Sequence, residues 1–233
     1  MNPTTYAVGD VHGRLDLLEL AFRSIATHAG ARPHRVVMLG DYVDRGPDSA
    51  GVIEFLMRGE GRLDLVCLKG NHEDMMLGAL TGDGGARRTW LANGGVETLR
   101  SYGASPDGDL RRTVPEAHIR WFSYLPTSAT DAHRIYVHAG LAPGVPLAEQ
   151  DEESLMWIRG PFLRAPPGAF EAHVVHGHSP QWEGKPDPSQ PELLPHRTNL
   201  DTGAWMTGVL SVGVFDADAP GGPSEVLAVT ADG

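Results

Sequence analysis

The chain has 233 residues, which fits one large α/β domain spanning 1–233, and its 41% apolar content argues against wholesale disorder. Its 30 acidic residues outnumber the 19 basic ones and give a net charge of −11, so no basic nucleic-acid-binding surface is expected. The single cysteine, Cys67, lies in an apolar run and excludes an intrachain disulfide.

The N-terminal residues lack the basic and apolar regions of a secretion signal. No apolar stretch approaches the roughly 20 residues that a membrane-spanning helix needs. We therefore expect a cytoplasmic protein that does not bind membranes or nucleic acid.

The first 80 residues alternate between strand and helix patterns. Short apolar runs at 6–8, 36–39 and 63–68 predict buried strands. Apolar residues recur at helical spacing over 15–29, and Ser49 is predicted to cap a second helix. Strands joined by crossover helices form a parallel sheet, and sites in such sheets lie at the carboxyl ends of the strands.

Residues 82–124 interrupt this alternation. Glycines separate short helical pieces there, so we interpret the region as a helical insertion beside the site. A Pro-rich surface loop is predicted at 179–195. Strand patterns return in the second half, at 134–137, 173–175, 199–200, 209–215 and 226–230.

Five polar clusters each follow an apolar run. They mix carboxylate, imidazole or amide groups with glycine, which lets the backbone turn tightly and approach an ion. The clusters are GDVHG (9–13), GDYVDRG (40–46), GNHE (70–73), HAG (138–140) and HGH (176–178). Mixed oxygen and nitrogen ligands suit manganese, iron or zinc better than calcium, so the sequence predicts a transition-metal site.

These motifs, in this order, resemble the metallophosphoesterase superfamily. Within it the chain looks like the PPP-type serine/threonine protein phosphatases in their bacterial and phage-like form. The resemblance spans 9–178, about three quarters of the chain. It implies the calcineurin-like fold, a four-layer α-β-β-α sandwich of two mixed sheets flanked by helices.

The resemblance also implies two bound divalent metal ions, manganese above all, with iron or zinc as alternatives. Asp10 and His12 would bind the first ion and Asp41 would bridge both. Asn71, His138 and His178 would complete the coordination of the second ion. Two such ions lower the pKa of a water and stabilise an in-line displacement at phosphorus.

The resemblance implies a catalytic role for four further residues. Arg45 and Arg159 would grip the phosphate, since guanidinium matches phosphate oxygens bidentately. His72, oriented by Asp44, would protonate the leaving group.

Other residues near these motifs receive structural interpretations. We expect a hydrogen-bonding role for His176 in preference to ligation, although related metalloenzymes ligate through a second histidine here. Glu73 is expected to support a helix start, and Asp201 to form a turn. Trp90 is expected to pack the insertion.

The expected activity is hydrolysis of phosphoserine and phosphothreonine monoesters in proteins or peptides, or of small phosphate esters. The alternative is symmetric cleavage of dinucleoside tetraphosphates. The members that do this typically have alanine at the position of Asp44 and GNHD in place of GNHE, so both features favour the phosphatase. An alternative of another class is a catalytically inactive binding module, whose signature would be a lost ligand or acid pair.

Overall fold

The fold is described from a computed structural model, which covers residues 3–59, 63–105, 107–181 and 187–231. Part of the predicted Pro-rich loop at 179–195 lies outside the described residues, namely 182–186, whereas the predicted strand at 63–68 is described in full. Within the described residues, no helix combines the length and the apolar character needed to cross a membrane.

Ten strands are present among the described residues. They are β1 (Thr4–Val8), β2 (His34–Met38), β3 (Leu65–Cys67), β4 (Ser128–Thr130), β5 (Arg134–Val137), β6 (His173–His176), β7 (Glu192–Leu193), β8 (Arg197–Asn199), β9 (Val209–Phe215) and β10 (Glu225–Thr230).

Ten α-helices accompany them in the same residues. They are α1 (Leu15–Ala29), α2 (Ser49–Gly59), α3 (Asn71–Ala79), α4 (Gly84–Trp90), α5 (Val96–Ser101), α6 (Leu110–Thr113), α7 (Glu116–Tyr124), α8 (Glu152–Trp157), α9 (Gly160–Leu163) and α10 (Ala204–Thr207). A π-helical turn, Leu91–Gly95, links α4 to α5, and a 3₁₀ turn covers Leu147–Glu149.

The strands form two five-stranded mixed sheets. The first has the order β10-β9-β1-β2-β3, in which β1, β2 and β3 are parallel and β9 runs antiparallel to β1 and β10. The second has the order β4-β5-β6-β8-β7, in which β5, β6 and β8 are parallel. The predicted four-layer sandwich of two mixed sheets is confirmed.

The layers follow from the two-residue alternation of strand side chains. On β1, Tyr6 and Val8 join the core that contains α1 and α2, whereas Ala7 joins Tyr136 and Phe215 in a separate core between the sheets. On β5, Ile135 and Val137 face the opposite way from Tyr136 and pack with Leu155 and Phe162 of α8 and α9. Helices therefore cover the outer face of each sheet.

The predicted helical insertion corresponds to α4 to α7. Trp90, Leu99 and Phe122 are fully buried and belong to the same core as α1 and β1. The insertion thus packs onto the helical layer of the first sheet, next to the carboxyl ends of its parallel strands.

Phe215 provides a test of the core between the sheets. The side chain is 0% exposed, and its ring lies edge-on to Tyr136 at 5.9 Å. Phe215→Ala should lower the free energy of unfolding by about 3–5 kcal/mol through lost burial and a residual cavity. Urea unfolding monitored by circular dichroism measures this. Tyr124→Ala, at a side chain 82% exposed, is the control and should change stability by less than about 0.5 kcal/mol. Equal effects of the two changes would contradict the layer assignment.

Candidate metal centre

The polar side chains that follow the parallel strands converge at one edge of the sandwich. Asp10 and His12 follow β1, Asp41 follows β2, and His138 follows β5. Asn71 opens α3, and His178 follows β6. All six residues are buried, with no more than 4% of any one exposed to solvent. Burial of this many polar groups requires partners, and a cation would provide them.

Asp41 belongs to two separate groups of metal-ligating atoms. Its Oδ2 lies 3.5 Å from His12 Nε2 and 3.9 Å from His72 Nε2. Its Oδ1 lies 3.3 Å from His138 Nε2. Within each group, His12–Asp41–His72 and Asp41–His138–His178, one ligand atom per residue lies within 4.8 Å of the others. Asp41 is the shared member, which is the arrangement a bridging carboxylate needs.

Asn71 lies inside the second group. Its Oδ1 is 2.9 Å from His138 Nε2 and 2.8 Å from His178 Nδ1. The structure thus brings together all the residues predicted for the second ion.

Asp10 is placed differently from the other predicted ligands. It is in neither ligand-atom group, and its carboxylate accepts the backbone N–H of His178 at 3.0 Å. Burial, followed by the negative charge of Asp201, holds the pKa of Asp10 well above its usual range. His72, predicted as an acid, stands beside His12 in the first group instead. The role of Asp10 as a ligand stays a prediction.

The orientation of the imidazoles indicates whether a cation fits. His12 Nδ1 and His138 Nδ1 each lie 2.8 Å from a backbone carbonyl, of Val43 and Leu39. A carbonyl only accepts, so these nitrogens carry a proton, and each Nε2 faces Asp41 as the nitrogen available to a cation. Each Nε2 meets the Asp41 carboxylate favourably only through positive charge, either a proton on the ring or a metal ion between the two groups. The donor set therefore fits divalent metal ions.

The charges in the site point the same way. Burial alone would raise the pKa of Asp41, but His138, His72 and His12 hold it well below its usual range. Burial alone would lower the pKa of His138, yet Asp41 raises it to about 10. Burial, with help from His138, lowers the pKa of His178 to about 2. A proton on His138 thus takes the position of positive charge that a metal ion would fill.

The two predicted arginines border the same cavity. Arg45, Arg159 and His178 line a space of about 530 Å³, together with Asn93 and Trp205. Arg159 Nη1 donates to Ser179 Oγ at 3.0 Å.

Arg45 also occupies the edge of the first ligand group. It donates to His12 Nε2 at 2.8 Å and to His72 Nε2 at 3.0 Å. A metal ion on His12 would compete with Arg45 for that lone pair.

The predicted acid pair is formed. His72 Nδ1 lies 2.7 Å from Asp44 Oδ2, and both side chains are buried. Burial raises the pKa of Asp44, while its hydrogen bond to His72 opposes that rise. His72 Nδ1 is thus anchored, and its Nε2 faces Arg45 and Asp41.

Three residues next to the site can be assigned hydrogen-bond partners. His176 Nδ1 donates to the carbonyl of Gly177 at 3.0 Å, and Arg197 donates to its Nε2 at 3.3 Å, in agreement with the expected hydrogen-bonding role. Asp201 accepts the N–H of Gly203 at 2.9 Å, as expected of a turn residue. Glu73 does more than support a helix start, because its carboxylate accepts backbone N–H groups from Gly70 and from all three residues 41–43.

Three residues at the site were not singled out as functional from the sequence. Ser49 was expected only to cap a helix, yet its hydroxyl accepts the N–H of Asp44 at 3.1 Å. Thr98 hydrogen-bonds Asp44, and Trp205 places its ring 5.5 Å from the Arg45 guanidinium. No local motif marks either residue. The expectation that Trp90 only packs the insertion is incomplete, since its indole N–H also donates to Asp44.

Comparison with known proteins identifies the family. The sequence profile of the calcineurin-like phosphoesterases matches residues 3–208. The chain belongs to this family. The histidine–aspartate groups described above could hold metal ions, which fits membership of this family.

Curated relatives carry two different names. A symmetrical bis(5'-nucleosyl)-tetraphosphatase of Neisseria meningitidis is 28% identical over 59% of this chain and 44% of its own length. One of Pseudomonas syringae pv. tomato is 34% identical over 59% of this chain and 41% of its own length. Serine/threonine-protein phosphatase 2 of Escherichia coli is 36% identical over 39% of this chain and 38% of its own length. The matches span less than half the length of each of these relatives.

Solved structures show the same fold. A protein described as a candidate diadenosine tetraphosphatase superposes with a TM-score of 0.65 at 24% identity, over 97% of this chain and 93% of its own. A serine/threonine phosphatase of Saccharomyces cerevisiae superposes with a TM-score of 0.56 at 15% identity, over 98% of this chain and 80% of its own.

Metal binding is expected to release protons. His138, with its pKa raised to about 10, is protonated at neutral pH and must lose that proton to ligate. Affinity for Mn²⁺ should therefore rise with pH through the neutral range, roughly tenfold per pH unit for each proton displaced. Calorimetric titration in two buffers of different ionisation enthalpy measures the protons released. His138→Gln should bind Mn²⁺ more weakly and release fewer protons. Buffer-independent heats for the unaltered protein would contradict this account.

Proposed function

We propose that the protein hydrolyses phosphate monoesters whose leaving group is a poor one, with phosphoserine and phosphothreonine in proteins or peptides foremost. The observation that carries this proposal is the buried His72–Asp44 pair at 2.7 Å. An alkoxide leaves only if it receives a proton, and a histidine held by a carboxylate is a competent donor at neutral pH.

The proposed site contains two divalent cations, with manganese preferred over iron and zinc. His12 and Asp10 would hold one ion; Asn71, His138 and His178 would hold the other, and Asp41 both. When bound, the cations supply positive charge and a nucleophilic water.

The chain's own side chains perform the remaining steps. Arg45 and Arg159, which border one cavity, bind the phosphate oxygens. Once Arg45 turns from His72 Nε2 to the phosphate, that nitrogen takes up a proton from solvent and delivers it to the departing oxygen, while the Nδ1 proton stays hydrogen-bonded to Asp44. Asp44 stabilises the charged imidazole and holds the ring in place.

Symmetric hydrolysis of dinucleoside tetraphosphates is the second candidate. It is favoured by the names of several relatives, which match this chain over more residues than the protein phosphatase of Escherichia coli does. The presence of Trp205 beside Arg45 also suits a nucleobase stacked near a phosphate-binding arginine. Against it stands the acid pair, because a nucleoside diphosphate leaves readily and needs little proton donation.

Two substitutions separate the roles of metal binding and proton donation. Asp41→Asn should lose bound metal and turnover together. His72→Asn should keep its metal but lose turnover on the order of 10²–10⁴-fold on alkyl phosphates. Elemental analysis and steady-state kinetics measure both. His34→Asn, at the start of β2 and away from the site, is the matched control. Full activity of His72→Asn on alkyl phosphates would refute the acid assignment.

A two-substrate assay separates the candidate functions. With Mn²⁺, kcat/KM should be higher on a phosphoserine peptide than on diadenosine tetraphosphate. Asp44→Asn should lower kcat/KM on the peptide more than on the tetraphosphate, because only the alkoxide leaving group needs a proton. The reverse order of substrates, with Asp44→Asn indifferent, would establish the second candidate. Absence of any turnover, including on an aryl phosphate, would leave an inactive binding module.

A further inference from the structure

The segment between Trp90 and Thr98 lies against the turn that carries Asp44 and Arg45. Trp90 ends α4, and Thr98 lies in α5. Gly94 lies in the π-helical turn between them and leaves helical geometry with a φ of 108°. We call residues 90–98 the clamp segment.

The turn that this segment touches is strained. Asp44 has a φ of 74° and Arg45 a φ of 67°, both in the left-handed region that side chains with a Cβ disfavour. Two consecutive residues of this kind persist only where the surroundings hold them. The support here is specific: Asp44 N donates to Thr98 Oγ1 at 2.8 Å, and Arg45 N donates to the Gly94 carbonyl at 3.2 Å.

The clamp segment also fixes the Asp44 carboxylate. Trp90 Nε1 lies 3.0 Å from both carboxylate oxygens. Thr98 Oγ1 donates to Oδ1 at 2.7 Å, and Ser49 Oγ lies 3.0 Å from Thr98 Oγ1, which completes a buried chain of hydroxyls. Oδ2 accepts the Nδ1–H of His72 at 2.7 Å. Every donor to this carboxylate other than His72 comes from the clamp segment within the described residues.

Glycine is required where the segment makes these contacts. A Cβ on Gly95 would lie 2.5 Å from atoms of the Trp90 indole, and one on Gly94 would lie 2.8 Å from Arg45 N. The Gly94-Gly95 pair thus lets the indole and the strained turn approach each other. A segment that served only to fill space would not need an N–H and a hydroxyl aimed at one carboxylate.

We propose that Trp90 and Thr98 are positioning residues for leaving-group protonation: they hold Asp44, and through it His72, in the orientation that delivers the proton. The helical insertion then belongs to the catalytic apparatus. This inference rests on the proposed function, whose acid pair it extends.

The kinetic test varies the leaving group. Trp90→Phe keeps the ring and removes the N–H, and Thr98→Val keeps the shape and removes the hydroxyl. With Mn²⁺, both should lower kcat on an alkyl phosphate by about 10–100-fold, the usual size of effects from groups that orient active-site residues. Both should leave kcat on dinitrophenyl phosphate nearly unchanged, since that leaving group needs no proton. Thr98→Ser should restore the alkyl-phosphate rate.

Tyr102→Phe is the matched control. It removes a hydroxyl of the same insertion that bonds His118 Nδ1 at 2.8 Å, away from Asp44. Its rates on both substrates should equal those of the unaltered protein. Equal losses on both substrates in Trp90→Phe and Thr98→Val, or no loss on either, would overturn the inference.

A second readout does not depend on activity. An imidazole N–H bonded to a carboxylate gives a downfield proton resonance, identified here by its absence in Asp44→Asn. In Trp90→Phe and Thr98→Val it should shift and exchange faster with solvent, and in Tyr102→Phe it should stay. An unaltered resonance in both variants would overturn the inference. Lack of activity in the unaltered protein would instead refute the proposed function, and the resonance would still decide whether the clamp segment holds Asp44.

Discussion

The site depends on one buried negative charge that is shared between two groups of ligands. Asp41 is 2% exposed, and its two oxygens point toward different histidines. Because backbone carbonyls accept the Nδ1 protons of His12 and His138, the Nε2 atoms are the ones that face Asp41. This arrangement requires positive charge: the Arg45 guanidinium and a proton on His138 supply it, and divalent ions fit the same position. The proposed metal ligands and the proposed acid, His72, adjoin this carboxylate.

Backbone strain is concentrated at the same place. Among the described residues, the non-glycine residues with positive φ are His12, Asp41, Asp44, Arg45 and His178. Each follows the carboxyl end of a parallel strand, where the chain must turn within a few residues while its side chain points back into the site. The packed sheets supply the stability that maintains these conformations, and the strain is concentrated at the candidate metal centre.

Much of this arrangement could be predicted from the sequence. Helix α1 and strands β5 and β9 have the predicted bounds, because their apolar spacing reports which face is buried. The convergence of Asp41, Asn71 and the histidines followed from the strand-end rule together with the family resemblance. The contacts of Trp90 and Thr98 with Asp44 could not be predicted, because they join positions 46 and 54 residues apart and depend on the packing of a helical insertion. The choice of substrate cannot be predicted from local sequence either, since it depends on cavity shape and leaving-group chemistry.

Glu73 links two parts of the chain through a single carboxylate. From the first turn of α3 its carboxylate reaches four amides, that of Gly70 and those of residues 41–43. The loop bearing Asp41 and the helix start bearing Asn71 are thereby held together by hydrogen bonds to one side chain. A displacement of α3 would therefore carry Asp41 along with Asn71, so residues proposed to hold the two ions would move together.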